Sequence, residues 1–361
     1  MPSRQSSDPR IWLVVGEKLG DNAQVRAIAD ALGLPCEWKI LRCKPAYQEG
    51  KPRVRPTLSH LDLERSDPLT PLWPELILTI GRRPLSAALW IKRQSGGRSR
   101  IVVLGRPQGG WAPYDLIVTA AHYPLPPDPR VLELKFPLIF PDRERIEAAR
   151  TAWADRLADL PRPLVPVLIG GRTRPYRFGR TEAETLIEHS RCLVGRGTPF
   201  FCTSRRTKAP VREAIRASGL PYYDWHEGGD NPYFGLLAHG DAFVVTGDSV
   251  SMMMEVARLG KPLAIFPLPV QYPRLHAWAR RLRRGLLYHP HPGSIRARLG
   301  QLLFRLGLIG YERRLENIHQ HLYHSGAALP LGQGDILPLS PPPIEDELPK
   351  VTRRIRALLG V

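Results

Sequence analysis

The sequence predicts an α/β protein made of two doubly wound units, and three observations lead there. Its 361 residues exceed one typical compact domain and suit two of ordinary size. Short apolar runs alternate with stretches of helical period, the pattern of a parallel sheet covered by helices. At Pro161-Arg162-Pro163 the prolines restrict the backbone, the pattern stops, and it then begins again.

In the first half, residues 11–15 read as a strand, 22–32 as a helix, 76–80 as a strand and 84–93 as a helix. Residues 101–104 and 116–118 add two short strands, and a charged helix over 142–160 leads to the proline boundary. The second half opens with a strand over 164–169 that runs into Gly170-Gly171-Arg172. A helix follows from Thr181, whose spacing to Glu184 is that of a capping box. Strand 199–202 ends at Thr203-Ser204-Arg205-Arg206-Thr207 before a helix over 210–218. Strand 242–245, helix 248–259 and strand 263–266 complete the second core. The expected division is a first domain over 1–150, a second over 161–335 that includes a basic stretch at 271–308, and a terminal helix over 344–361. A proline-rich joint at 339–343 leaves that helix free to pack back on the first domain.

The formal charge of +18 comes almost wholly from arginine, since lysine supplies only nine of the 52 basic residues. Such a field favours an anionic partner, with a codon bias toward arginine as the plain alternative. No motif that reads DNA or RNA is present, so nucleic acid is not expected. Cys36, Cys43, Cys192 and Cys202 are too widely spaced for a zinc knuckle, and a chain of this size needs no disulfide staples. A reducing cytoplasm is expected. The run 11–15 is too short for a signal-peptide core, and no segment reaches the length of a membrane span. Within 271–308, Arg280, Arg281, Arg283 and Arg284 stand among Trp278, Leu282, Leu286 and Leu287. This reads either as a segment lying on an anionic membrane surface or as a solvated helix with part of one face in the core.

Open parallel sheets bind ligands beyond the carboxyl ends of their strands, where Gly170, Ser204, Thr246 and Asp248 all fall. After strand 242–245 a small polar turn enters a helix with Ser249 or Asp248 available as N-cap. The N–H groups of Val250, Ser251 and Met252 would then face a diphosphate, and Glu255, one turn further in, would accept hydrogen bonds from ribose hydroxyls. The alternative is an ordinary strand–turn–helix with a solvent-facing Glu. Arg172, Arg205 and Arg206 are placed to neutralise a diphosphate leaving group.

In the first half, Gly16 and Gly20 flank a flexible turn that also carries Glu17, Asp21, Asn22 and Gln24. Asp21 or Glu17 is a candidate general base on an acceptor hydroxyl; alternatively Asp21 or Asn22 is the N-cap of the first helix. Arg82 and Arg106 each follow a strand-end glycine and can hold an anionic acceptor head group by forked hydrogen bonds, or stand solvated. No metal site is expected, because the chain has neither a D-x-D triplet at a strand end nor an H-E-x-x-H pair. Ser249 and Ser251 lack a G-x-S-x-G elbow, and the Gly16–Gly20 turn lacks the G-x-G-x-x-G spacing of a dinucleotide site.

Residues 16–24, 203–207, 225–234 (Trp-His-Glu-Gly-Gly-Asp-Asn-Pro-Tyr-Phe) and 246–255 together resemble the bacterial relatives of the plant "elongated mitochondria" fission protein, a family also classed with glycosyltransferases. The resemblance covers about residues 11–269 and returns near 313–361. It implies a GT-B fold, two Rossmann-like domains facing across a cleft with the donor nucleotide on the second. It also implies donor contacts from Gly170, Gly171, Ser204, Arg205, Arg206, Thr246, Asp248, Ser249, Ser251 and Glu255, with Asn231, Pro232 and Tyr233 near the base or sugar. The chain departs from the family at 271–308, which reads as an insertion, and in having Asp21-Asn22-Ala23-Gln24 where relatives place Asn directly before Gln.

The functional expectation is a cytoplasmic glycosyltransferase, independent of metal or other cofactor and peripheral on the inner face of a membrane. It would move a sugar from a nucleotide-sugar to an envelope glycolipid or polysaccharide. The rivals are a catalytically idle GT-B scaffold that recruits a protein partner and a nucleotide-sugar epimerase.

Overall fold

The computed structural model describes residues 9–47, 50, 53–107, 110–171, 175–195, 197–271, 274–288, 293–337 and 340–361. The chain begins with β1 (Ile11–Val15), α1 (Leu19–Leu32), β2 (Cys36–Ile40), β3 (Leu76–Ile80), α2 (Arg82–Gln94), β4 (Arg100–Leu104), β5 (Leu116–Ala120) and β6 (Val131–Leu134). Next come α3 (Arg143–Ala158), β7 (Leu164–Leu168), α4 (Arg180–Val194), β8 (Thr198–Cys202), α5 (Ala209–Ala217) and β9 (Tyr222–Tyr223). Then follow α6 (Tyr233–His239), β10 (Phe243–Thr246), α7 (Val250–Arg258), β11 (Leu263–Phe266), α8 (Arg274–Leu287) and α9 (Ile295–Arg305). The last elements are α10 (Glu316–His324), β12 (Leu329–Pro330) and α11 (Leu348–Leu359).

Two compact units result, and each holds one six-stranded parallel sheet. The first comprises residues 1–138, 277–314 and 346–361, and its strands run in the order β2-β1-β3-β4-β5-β6. The second comprises residues 139–276 and 315–345, with the order β12-β11-β10-β7-β8-β9. Every residue of β1, β3, β5, β7, β10 and β11 is buried, which is why these strands are near-continuous apolar runs in the sequence. In each sheet the strand order reverses once, between β1 and β3 in the first and between β7 and β10 in the second. Diverging crossovers open a crevice at the carboxyl ends of such a strand pair.

The structure corrects the expected division in two places. The expected first domain, 1–150, takes in part of helix α3, but that helix belongs to the second unit, where it packs on α6 and Gly235 lies against the Trp153 side chain. The expected second domain, 161–335, takes in residues 277–314, but they belong to the first unit. There Phe304 stacks edge-on against Trp111 and Tyr311, with ring centroids 5.5 and 5.1 Å apart. The terminal helix α11 also lies in the first unit, against α1, and Glu347 just before it accepts the Phe136 N–H at 3.1 Å.

Two helix starts also differ from expectation. Lys18 holds the N-cap position of α1, so Asp21 and Asn22 stand inside the first turn and neither caps it. The carboxylate of Glu182, not Glu184, reaches back to the N-cap N–H of α4, at Gly179, over 2.8 Å. Arg177 holds that carboxylate at 2.6 Å, and the N-cap stands at Gly179, two residues before Thr181.

Candidate functional site

In the second unit the ends of β7, β8 and β10 are tied together by short polar side chains. Thr246 Oγ1 accepts the Gly170 N–H at 2.8 Å and donates to Asp248 Oδ1 at 2.9 Å. Asp248 Oδ2 accepts the Gly171 N–H at 3.0 Å. Ser204 and Thr207 both donate to the Gly170 carbonyl, at 2.7 and 2.8 Å. Thr246, Asp248 and Ser249 are buried at this floor of the crevice, where the Thr246, Asp248, Ser204 and Thr207 side chains and the two glycines satisfy one another. The glycines are required by close approach. A Cβ on Gly170 would stand 2.5 Å from Asp248 Oδ1, and one on Gly171 would stand 2.1 Å from Arg206 Cβ and 2.7 Å from Arg206 backbone atoms.

The expected cap on α7 takes a different form. Asp248 turns its carboxylate to Gly171 and Thr246, and Ser249, though at the N-cap position, makes no side-chain capping bond. Among the described residues no side-chain bond caps the first N–H groups of α7, and the dipole there favours an anion. Ser251 is exposed and Met252 half-buried on that first turn. Arg205 and Arg206 are exposed on the turn after β8 and pair with no carboxylate among the described residues. Arg172 lies outside the described residues.

One turn into α7, Glu255 accepts a hydrogen bond at Oε2 from the Tyr233 hydroxyl. Burial raises the carboxyl above its ordinary value, the Tyr233 bond opposes that rise, and the nearby Asp142 carboxylate adds to it. Burial and the same Glu255 charge push the Tyr233 phenol well up, which keeps it a donor. Asn231 accepts the Tyr233 N–H at 3.0 Å through Oδ1, so its side chain shapes the entry to α6.

In the first unit Gly16, Glu17, Asp21 and Arg82 line one pocket of about 410 Å³ at the β1/β3 reversal, together with Lys18, Cys43, Gly81, Arg83 and Pro84. Burial raises the Asp21 carboxyl, with Lys18 pulling the other way; this moves it toward the range in which it can take a proton from a hydroxyl. Glu17 instead pairs with Arg42 at 3.3 Å on the exposed rim. Burial likewise raises the Cys43 thiol, which argues against a thiolate nucleophile. Asn22, Gln24, Gly20 and Arg106 do not line the pocket. Asn22 Nδ2 donates to the Gly16 carbonyl at 2.9 Å, and Gln24 makes a long exposed bond to Gly20 O at 3.5 Å. Beyond its chain neighbours and its own helix backbone, no atom among the described residues lies within 4 Å of a Cβ built on Gly20, so the backbone there needs no glycine for close approach. Arg106 donates to the Tyr311 carbonyl and lies 5.2 Å over the Tyr123 ring, a packed position rather than an open one.

Sequence reasoning missed two groups of the second-unit site. Thr207 Oγ1 accepts the Ser204 N–H at 2.9 Å while donating to Gly170, a local bond that its place three residues after Ser204 would have suggested. His319 Nε2 bonds the Gly247 carbonyl at 2.7 Å, so that nitrogen carries the proton. Nothing in the sequence links His319 to a turn so far away. Among the described residues no three His, Cys, Asp or Glu side chains gather as metal ligands, and no helix is long and apolar enough to cross a membrane.

Three comparisons bear on the chain. It is 31% identical over 218 residues to the mitochondrial fission protein ELM1 of Arabidopsis thaliana, a match covering 53% of this chain and about half of the plant protein, 51%. It is 23% identical over 300 residues to protein RP120 of Rickettsia prowazekii, covering 72% of this chain and 83% of that one. Among solved structures, the UDP-GlcNAc 2-epimerase from Methanocaldococcus jannaschii aligns over 97% of this chain and 99% of its own, with a TM-score of 0.50 at 10% identity. The calicheamicin glycosyltransferase CalG4 aligns over 98% of both chains with a TM-score of 0.42 at 12% identity. The two Rossmann-like units form a fold of GT-B type. The mitochondrial fission ELM1 family profile matches residues 20–303, and the chain belongs to that family.

Proposed function

We propose that this protein is a glycosyltransferase that moves a sugar from a nucleotide-sugar to a hydroxyl of an envelope glycolipid or polysaccharide, at the cytoplasmic face of a membrane. The observation that carries this reading is the crevice floor of the second unit, where three strand ends are hydrogen-bonded into one platform beneath the start of α7, which no side chain among the described residues caps. A diphosphate would rest on the N–H groups of Val250, Ser251 and Met252, and Arg205 and Arg206 would stabilise the leaving charge in place of a metal. Glu255 has its Oε2 engaged by Tyr233, and its other oxygen is the acceptor for a ribose hydroxyl. The pocket of the first unit would receive the acceptor, with Asp21 taking the proton of its hydroxyl.

The test is thermal unfolding of the protein against nucleoside diphosphates and their sugars, with Glu255→Ala beside it. A ligand at about one hundred times its dissociation constant adds about 2.7 kcal/mol to folding stability. One nucleotide family should stabilise the protein and lose that effect in the variant. Asp21→Asn should keep the nucleotide effect and lose transfer about 100-fold or more.

Two other readings each have an observation behind them. The family's name concerns mitochondrial fission, which favours a scaffold that recruits a partner, and no stabilisation by any nucleotide at millimolar ligand would move the conclusion there. The fold likeness to a UDP-GlcNAc 2-epimerase favours an epimerase, which would form product with no acceptor present.

A further inference from the structure

Helix α9 has two apolar faces where a surface helix ordinarily has one. Ala297, Gly300 and Phe304 face inward and are buried in the first unit; a Cβ on Gly300 would stand 2.3 Å from the Leu286 carbonyl oxygen, so α9 lies close against α8 there. The opposite face carries Ile295, Leu299, Leu302 and Leu306, which are 84, 46, 52 and 63% exposed. At 100° per residue these four fall within an arc of roughly 60°, centred nearly opposite the buried three, and they extend about 16 Å along the helix. Scattered exposed leucines need no explanation, but a stripe at i, i+4, i+7 and i+11 on the solvent side does. In the same segment, helix α8 exposes Trp278 and Leu282, one turn apart.

Charge identifies the occupant. Arg296 stands on one flank of the α9 stripe, Arg298 and Arg305 on the other, and all three are exposed. Arg281 and Arg284 of α8 are exposed as well. No Asp or Glu occurs anywhere from residue 256 to residue 311. A second protein surface would need apolar area ringed by carboxylates to match this face. A bilayer with anionic lipid supplies both parts at once: acyl chains for the leucines, and phosphate head groups at the depth where flanking arginines reach up.

We infer that the outer face of α9 is a membrane-surface anchor selective for anionic phospholipid, with Ile295, Leu299, Leu302 and Leu306 entering the acyl boundary and Arg296, Arg298 and Arg305 binding head-group phosphates. The anchor stands on its own observations and does not need the nucleotide-sugar reading.

The experiment is co-sedimentation of the full chain with vesicles of phosphatidylcholine alone and of phosphatidylcholine with about one-third phosphatidylglycerol. Wild type should partition at least about tenfold more strongly onto the anionic vesicles and be released by high salt. Leu299→Asp with Leu302→Asp, at positions exposed in the folded protein, should lower that partition by about tenfold or more while leaving the thermal melt unchanged. Arg298→Glu with Arg305→Glu should abolish the preference for anionic over neutral vesicles. Equal sedimentation with both vesicle types, or undiminished binding by the leucine pair, would overturn the proposal. So would a stable wild-type dimer that the leucine pair converts to monomer, because a second copy would then be what covers the stripe. Each readout is independent of nucleotide, so a failed donor assay and a failed anchor are separable.

Discussion

Asp248 Oδ2 accepts the Gly171 N–H at 3.0 Å, tying the turn after β10 to the turn after β7 at the point where the second sheet reverses its strand order. Its Oδ1 takes the Thr246 hydroxyl at 2.9 Å, so one buried carboxylate holds two strand ends together. Asp248→Ala leaves the Gly171 N–H and the Thr246 hydroxyl without that partner in a buried place. The expected cost is about 2–4 kcal/mol in urea unfolding. A loss below half a kilocalorie, on the order of surface substitutions, would mean the two turns hold without it.

Gly171→Ala tests the same joint through sterics. The added Cβ would meet Arg206 main-chain atoms, which cannot swing away like a side-chain tip. Destabilisation of about 2–4 kcal/mol is expected, with Arg206 displaced. Gly20→Ala is the matched comparison: it lies inside α1 with open space around it, and should stabilise by about 0.5–1 kcal/mol. Equal effects from the two substitutions would remove the case for close approach at Gly171.

His122 is buried near Arg313 and Arg106, and burial first, then those two charges, drive its pKa from 6.5 down to about 3. The unfolded chain takes up a proton below pH 6.5 that the native state refuses until about pH 3. Stability from this group is therefore complete above 6.5 and declines as pH falls toward 3. Its Nδ1 has no partner among the described residues, so His122→Phe removes a buried unsatisfied nitrogen and keeps a ring beside Tyr123. The variant should flatten the acid side of the stability profile measured by denaturant unfolding. An unchanged profile would mean that the native His122 does take up a proton in this range.

Glu255 shifts the other way. A carboxyl whose folded value is raised contributes stability below its ordinary 4.5, and that stability is lost as pH rises through the folded value. Glu255→Gln stays neutral and still offers Tyr233 an oxygen. It should match wild type at acid pH and exceed it increasingly toward neutrality, as read from melts across pH. A variant weaker than wild type at neutral pH would show that the ionised carboxylate is held by favourable partners.

The central strands were legible because a strand buried on both faces must be apolar throughout, as in β1, β3, β7 and β10. Strand β2, with exposed Glu37 and Ile40, and the two-residue β9 and β12 carry no such signal, since each lies at a sheet edge and pairs on one side only. At the candidate site, strand-end positions could be read, but hydrogen-bond partners could not. The reading of Asp248 or Ser249 as a helix cap followed local rules; a Gly171 N–H from another strand end competed for Asp248 and took it.

Sequence alone determined the α/β class, the repeated winding of two units and the strand ends where polar residues gather, because periodicity and burial are imposed on each strand by its own neighbours in the chain. Tertiary structure decided the strand orders, the return of residues 277–314 and α11 to the first unit, and the outward stripe on α9. An amphipathic segment states that it has an apolar face but not which core that face will meet. Phe304 reaching Trp111 and Tyr311, and leaving Leu299 and Leu302 toward solvent, is a choice made only when distant parts of the chain pack.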